Sequence, residues 1–430
     1  MCARRMCFYL SAVGLGVGCA GDSTAGSTGW EARVDTVGDT IRVHTVSGSE
    51  LGGVVDLIET VRIGSLEGND EEIFGGINGL AEDAAGNIYV FDRQATALRK
   101  YGPDGAYIAT LGHKGGGPGE YANSDGGMAV LPDGRIVLRD PGNARFTLYK
   151  SDGSYDSEWL GRGGFFTSQP LVVDASGNAY TSVIRDTRDG EEPWPNRIWV
   201  MRVLRMSADG TPLDTLDIPR YRIDPKVIIA QRDGGTSVND VPFTGQFFWA
   251  VHPSGAMLTA VGDRYAVDLH RVDGSVLRMS RDTEPIAVLP DEKKEAEAGA
   301  TRNMRGMVPD WRWNGPPIPD TKAPITGLRV GQDGRLWVQL AARAERIPEE
   351  ERQQLASPDP ESPPPPRFRT PVVFDVFEPD GRYVGQVRTP RGFAVYPQPV
   401  FEKDHVWAVV RDELDVSYVV KFTIGTATPP

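Results

Sequence analysis

The sequence predicts an all-β chain closed into a six-bladed β-propeller of four-stranded antiparallel blades, and three observations predict it. A turn-plus-strand unit recurs six times. A second turn unit falls between its copies. Glycine (50) and proline (33) are abundant in a chain of 430 residues, as many short strands joined by tight turns require.

The first unit reads Asp83-Ala84-Ala85-Gly86-Asn87-Ile88-Tyr89-Val90. It returns at 132–138, 174–180, 252–258 and 332–338, and in degenerate form at 403–409. Its glycine supplies the positive φ of a tight turn, and its aspartate bonds the local backbone. The turn markers Gly86, Gly134, Gly177, Gly255, Gly334 and His405 are read as opening the innermost strand of each blade. The second unit, Pro103-Asp104-Gly105-Ala106-Tyr107-Ile108, recurs at 151–155, 208–213, 272–277 and 379–384. Alternation of the two series gives each blade an early and a late hairpin, hence four strands.

The last blade lacks a late hairpin. The segment 59–64 lies before the first repeat and has no blade of its own. It is expected to close the ring as the N-terminal strand of the last blade, which removes the free edges. The propeller is placed at 34–430, with blades at about 73–112, 122–161, 168–218, 246–288, 326–388 and 398–424 plus strand 59–64. Surplus residues map to polar insertions at 185–199 and 219–245, a charged helix at 291–307 and a proline-rich loop at 348–371.

Residues 1–18 read as a signal peptide. Arg4 and Arg5 form its positive region, and the apolar run 7–17 is too short to span a bilayer. The stretch ends in Gly16-Val17-Gly18-Cys19, which resembles the bacterial lipobox. That resemblance implies lipidation of Cys19, and Ala20 after it implies the outer membrane, facing the periplasm or the cell surface. Residues 19–33 form a small, polar, flexible tether. All three cysteines lie in the first 19 residues, so neither a disulfide framework nor a thiolate zinc site belongs to the fold. The net charge of −13 argues against nucleic acid as a partner and leaves the lipid anchor as the route to the membrane.

Residues 91–101 and 140–149 carry the pattern of NHL-type repeats, and between them lies Leu111-Gly112-His113-Lys114-Gly115-Gly116-Gly117-Pro118-Gly119-Glu120-Tyr121. The chain thus resembles bacterial six-bladed propeller lipoproteins with NHL-like repeats. The resemblance implies a fold and an export route but no single reaction. A phosphate-binding loop is not expected at 112–119, because strands flank it on both sides.

Chemistry is expected at the mouth of the central channel. Asp92 and Asp140 each fall six residues after a turn glycine, with Arg93 and Arg139 beside them. Arg185, Asp263, Arg264, Arg343, Arg411 and Asp412 follow the later markers. Converging arginines would bind an anionic small molecule or an acidic glycan. The competing expectation is that the same residues cross-link the blades as ion pairs. Asp92, Asp140 and Asp263 are the oxygen donors open to calcium, but no compact acidic loop supplies the six or more that calcium takes, so no cofactor is expected. The functional reading is a cell-envelope binding or scaffold module whose partner is an envelope protein or an anionic ligand. The alternative is a metal-dependent hydrolase or lyase of the gluconolactonase-like propeller kind, acting on a sugar acid or lactone.

Overall fold

The computed structural model describes residues 29–160, 167, 169–184, 201–219, 226–357, 359 and 362–426. Residues 1–18, expected to be a signal peptide, Cys19, most of the expected tether, Arg185 and the expected insertion at 185–199 lie outside the described residues.

The chain is a six-bladed β-propeller. The first blade runs Ile77–Glu82, Ile88–Asp92, Ala97–Tyr101 and Tyr107–Leu111, each strand antiparallel to the next. The second, third and fourth blades begin at Met128–Val130, Val172–Val173 and Phe247–Val251, and the fifth at Ile325–Val330. The sixth is built from Val400–Phe401, His405–Arg411 and Ser417–Ile424, and Val54–Ile63 completes it from the other end of the chain. The closing strand is therefore longer than the segment 59–64 singled out in the sequence.

The first strands are innermost. Those of neighbouring blades pack against one another, and all six line one channel. The turn markers consequently follow the innermost strand instead of opening it: the turn around Gly86 joins Ile77–Glu82 to Ile88–Asp92. In the second, third and sixth blades the strand ahead of the marker has only two or three residues, too few to show a period. In the first blade the Gly86 N–H bonds the Asp83 carbonyl while the Asp83 N–H bonds the Asn87 carbonyl, with Gly86 at φ +82°. The same pair of bonds recurs around Gly134, Gly177, Gly255 and Gly334. Only glycine adopts that backbone without strain.

The N-terminal segment forms a belt around half of the rim. The hairpin Glu31–Val37/Thr40–Ser47 extends the fourth blade, with Thr40–Thr45 parallel to Val276–Arg281. The Glu50 and Leu51 N–H groups then bond the Tyr383 and Val384 carbonyls of the fifth blade. Val54–Asp56 runs parallel to Gln386–Arg388 before the strand enters the sixth blade. Glu31, Ala32 and Arg33, placed in the tether by composition, are part of this ordered hairpin.

The described parts of the insertions at 219–245, 291–307 and 348–371 carry structure of their own. Val227–Arg232 pairs with Gly235–Asp240, and the charged helix Pro290–Met307 packs on that hairpin through Met304, joined by Trp311 and Ile318 of the segment that follows it. The buried pair Lys322–Glu292, at 2.6 Å, ties the helix to the segment leading into the fifth blade. The proline-rich stretch starts as a short helix, Glu349–Gln354, where a loop was expected.

Candidate functional site

The central channel encloses about 1050 Å³. Its wall is made by the first strands, and its wider end by the turns that follow them. Strand direction fixes which residues reach that end. A first strand runs to the marker turn, and the second strand runs back from it. Residues at the end of a second strand therefore stand at the opposite face and one strand away from the axis.

That placement corrects the expected site. None of Asp92, Arg93, Arg139, Asp140, Asp263, Arg264, Arg343, Arg411 and Asp412 lines the channel. Asp92 is fully buried at the end of its strand and accepts the N–H groups of Gly75, Gly76, Gln94 and Ala95 at 2.8–3.2 Å. Asp140 does the same in the second blade, accepting from Ala122 and Asn123 and from the Asn143 amide at 2.7 Å. Each carboxylate pins the strand-entry segment of its blade to the far turn. Arg139 pairs with Asp125 at 3.0 Å and donates to Thr181 Oγ1 and the Gln169 carbonyl, so it cross-links the second blade to the third. It lies over Gly127, where a Cβ would fall 2.4 Å from its Nη2. Asp412 caps its own turn by accepting from Leu414, Val416 and Tyr418. Arg93, Asp263, Arg264, Arg343 and Arg411 are exposed. Among the described residues, no group of three or more acids and histidines is arranged to hold a metal ion, so Asp92, Asp140 and Asp263 do not converge.

The residues that do line the wide end are others. Asp83 and Asp174 hold their turns. Burial pushes both carboxyls up, but hydrogen bonds from Asn87 and Tyr89, and from Asn178 and Tyr180, outweigh it and leave both pKa values below the ordinary one. His252 replaces the aspartate in the fourth blade. Its Nδ1 accepts the Ser254 N–H at 3.0 Å, which leaves Nε2 to donate to the Gly334 carbonyl at 2.9 Å. Burial lowers its pKa, so the ring stays neutral.

Glu82 closes the ring. It is buried and accepts from His405 Nε2 at 2.8 Å and from Trp407 Nε1 at 3.2 Å, across the seam between the first and sixth blades. The bond to Glu82 raises the pKa of His405, whose Nδ1 meets Asp404 at 2.7 Å. Glu402 stands beside this seam. Burial and the nearby Glu82 and Asp333 carboxylates raise its pKa to about 7. Burial also raises Asp333.

Arg329 is the only lysine or arginine among the described residues lining the channel. Its Nη1 donates to the Leu328 carbonyl at 2.7 Å, and no carboxylate among the described residues pairs with it. Burial lowers its pKa. Sequence reasoning passed over Arg329 and Glu402 because it searched the strand after each marker, not the strand before it.

Over residues 34–155 the chain matches a family described as a 6-bladed beta-propeller. No curated protein sequence matches it. Among solved structures, it is similar to a member of a domain family of undefined function from Bacteroides vulgatus, at 10% identity and a TM-score of 0.47 over 87% of this chain and 99% of that one. It is similar to a protein described as exported from Bacteroides fragilis, at 12% identity and TM-score 0.43 over 86% and 94%. It is also similar to a gluconolactonase from Xanthomonas campestris, at 12% identity and TM-score 0.39 over 85% and 98%.

Proposed function

We propose that the protein is a non-enzymatic binding module of the cell envelope that holds a small molecule in its central channel. The observation that carries this reading is the channel itself: about 1050 Å³ of space whose lining includes Arg329 and Glu402, neither of which has an ion pair among the described residues. A cavity of this size, with an alanine and valine wall and polar groups gathered at one end, suits a ligand better than it suits packing. The acids that a metal-dependent hydrolase would need are committed to backbone amides in separate blades, which disfavours the lactonase-like alternative. Export with a lipid on Cys19 would place the propeller at the envelope.

The test is to fill the channel. Ala129 is half-buried in its wall. Ligands found by a thermal-shift screen of the purified mature chain should lose binding in Ala129→Trp, with the melting temperature little changed. Binding that survives the plug would move the site elsewhere. Metabolic labelling with a fatty acid, lost in Cys19→Ser, tests the anchor.

A further inference from the structure

The six blades repeat, so equivalent positions can be compared around the axis. Six buried or half-buried second-strand residues, Tyr89, Val137, Tyr180, Leu258, Trp337 and Trp407, face six first-strand residues across the ladder. Those partners are Ala81, Ala129, Val172, Ala250, Arg329 and Val400, and all six line the channel. Five are alanine or valine. One is arginine.

Nothing in the packing explains the exception. Arg329 loses solvation and gains no carboxylate among the described residues, which is costly for a group that stays charged. Its one bond to the carbonyl of the preceding residue leaves most of its donors open. Gly327 leaves the room it lies in, since a Cβ there would sit 3.3 Å from Nη1. The acids at the mouth do not pair with it: Asp83, Asp174 and Asp333 are held by their own turns and Glu82 by the ring seam, and no ion pair joins Glu402 to Arg329 among the described residues.

We propose that Arg329 anchors the ligand, and that the ligand is an organic monocarboxylate with an apolar body. This rests on the channel being the binding site. One guanidinium matches one carboxylate through two parallel hydrogen bonds. A dianion such as phosphate would meet a single positive charge and the carboxylates of the mouth. The body is apolar because the five equivalent positions are alanine or valine, and the tier nearer the mouth is valine or phenylalanine in five of six blades.

Calorimetric titration of the mature chain with octanoate, 1-octanol, octylamine, gluconate and inorganic phosphate tests this. Octanoate should saturate one site and bind about tenfold or more tighter than each of the others. Arg329→Gln should weaken octanoate by about tenfold or more and leave 1-octanol unchanged. Its melting temperature should not fall, since an unpaired charge is removed. Arg329→Lys should fall between the two. Octanoate binding unchanged in Arg329→Gln, or octylamine, gluconate or phosphate bound as tightly, would overturn the anchor and leave the channel reading standing. Octanoate binding that survives Ala129→Trp would overturn the channel reading itself. Failure of the wild type to saturate with octanoate would overturn the monocarboxylate assignment.

Discussion

Blades four to six and blades one to three share one repeat but end differently at the rim. In the belted half, the outer strands Val276–Arg281 and Tyr383–Arg388 are covered by residues 40–56, and the sixth blade is completed by the same segment. In the open half, the outer strands of the first three blades face solvent, with Ile108 51% and Leu213 49% exposed. The belt therefore does more than supply a missing strand. It covers the backbone edges of the blades that carry the longest insertions, where a free edge would invite pairing with another chain.

The largest test of that contrast sets Val55 against Ile108. Val55 is fully buried where the belt passes from the fifth blade to the sixth. Val55→Asp should cost about 4 kcal/mol or more, by burying an unpaired carboxylate. Ile108→Asp on the open rim should stay within about 0.5 kcal/mol. Urea denaturation with a two-state fit would compare them, and similar midpoints would remove the distinction.

Next come the cross-links. In the belted half, the fully buried Asp375 accepts from the Tyr383 hydroxyl at 2.8 Å and pairs with Arg281 at 2.5 Å, and the hydroxyl of Tyr265 also donates to it. Arg281 and Tyr265 come from the fourth blade, so this cluster spans two blades. Asp375→Ala should cost about 3 kcal/mol, because it strands the guanidinium. Asp140→Ala in the open half, which frees two backbone amides and the Asn143 side-chain amide but no charge, should cost about 2 kcal/mol.

A smaller pair of substitutions separates backbone strain from packing. Gly210 (φ +82°) of the third blade lies against Trp159 of the second, whose Cγ would sit 2.1 Å from an added Cβ. Gly274 (φ +86°) of the fourth blade has open space there. Gly274→Ala should cost about 1 kcal/mol from backbone conformation alone, and Gly210→Ala about 2 kcal/mol or more. Equal costs would mean that the blade contact at Trp159 gives way freely.

The smallest effect is a slope with pH. At the mouth, Asp83 and Asp174 of the open half titrate below the ordinary carboxylate value, whereas Asp333 and Glu402 of the belted half titrate above it. With a folded pKa of about 7, Glu402 keeps a proton that the unfolded chain loses near its ordinary value of 4.5. Its contribution to stability therefore falls as pH rises from 4.5 through 7. Glu402→Gln should flatten the difference between melting temperatures at pH 5.5 and pH 8. An unchanged slope would place the titration on another group.

The turns were legible in the sequence because their chemistry is local. A glycine with positive φ and an aspartate bonding its own loop are set within five residues. The ring closure was legible too, from a blade short of a strand and a strand without a blade. The order of strands within a blade was misread, since inner strands such as Val172–Val173 are too short to carry alternation. The belt hairpin was missed because it lies outside the repeat, although Ala32 and Val34, and then Ile41 and Val43, alternate with polar residues along its two strands. Arg329 could have been found from the markers alone. Five residues ahead of each lies a small apolar side chain, except in the fifth blade.

The seam between Val54–Ile63 and Ser417–Ile424 has a consequence for how the molecule comes into being. Thr60 donates to the Lys421 carbonyl, 361 positions further along the chain. Residues 57–63 cannot take their place in the sixth blade until Ser417–Ile424 has been made. A chain without Ser417–Ile424 is thus held as an unclosed arc, and that strand acts as the latch that admits it to the native state.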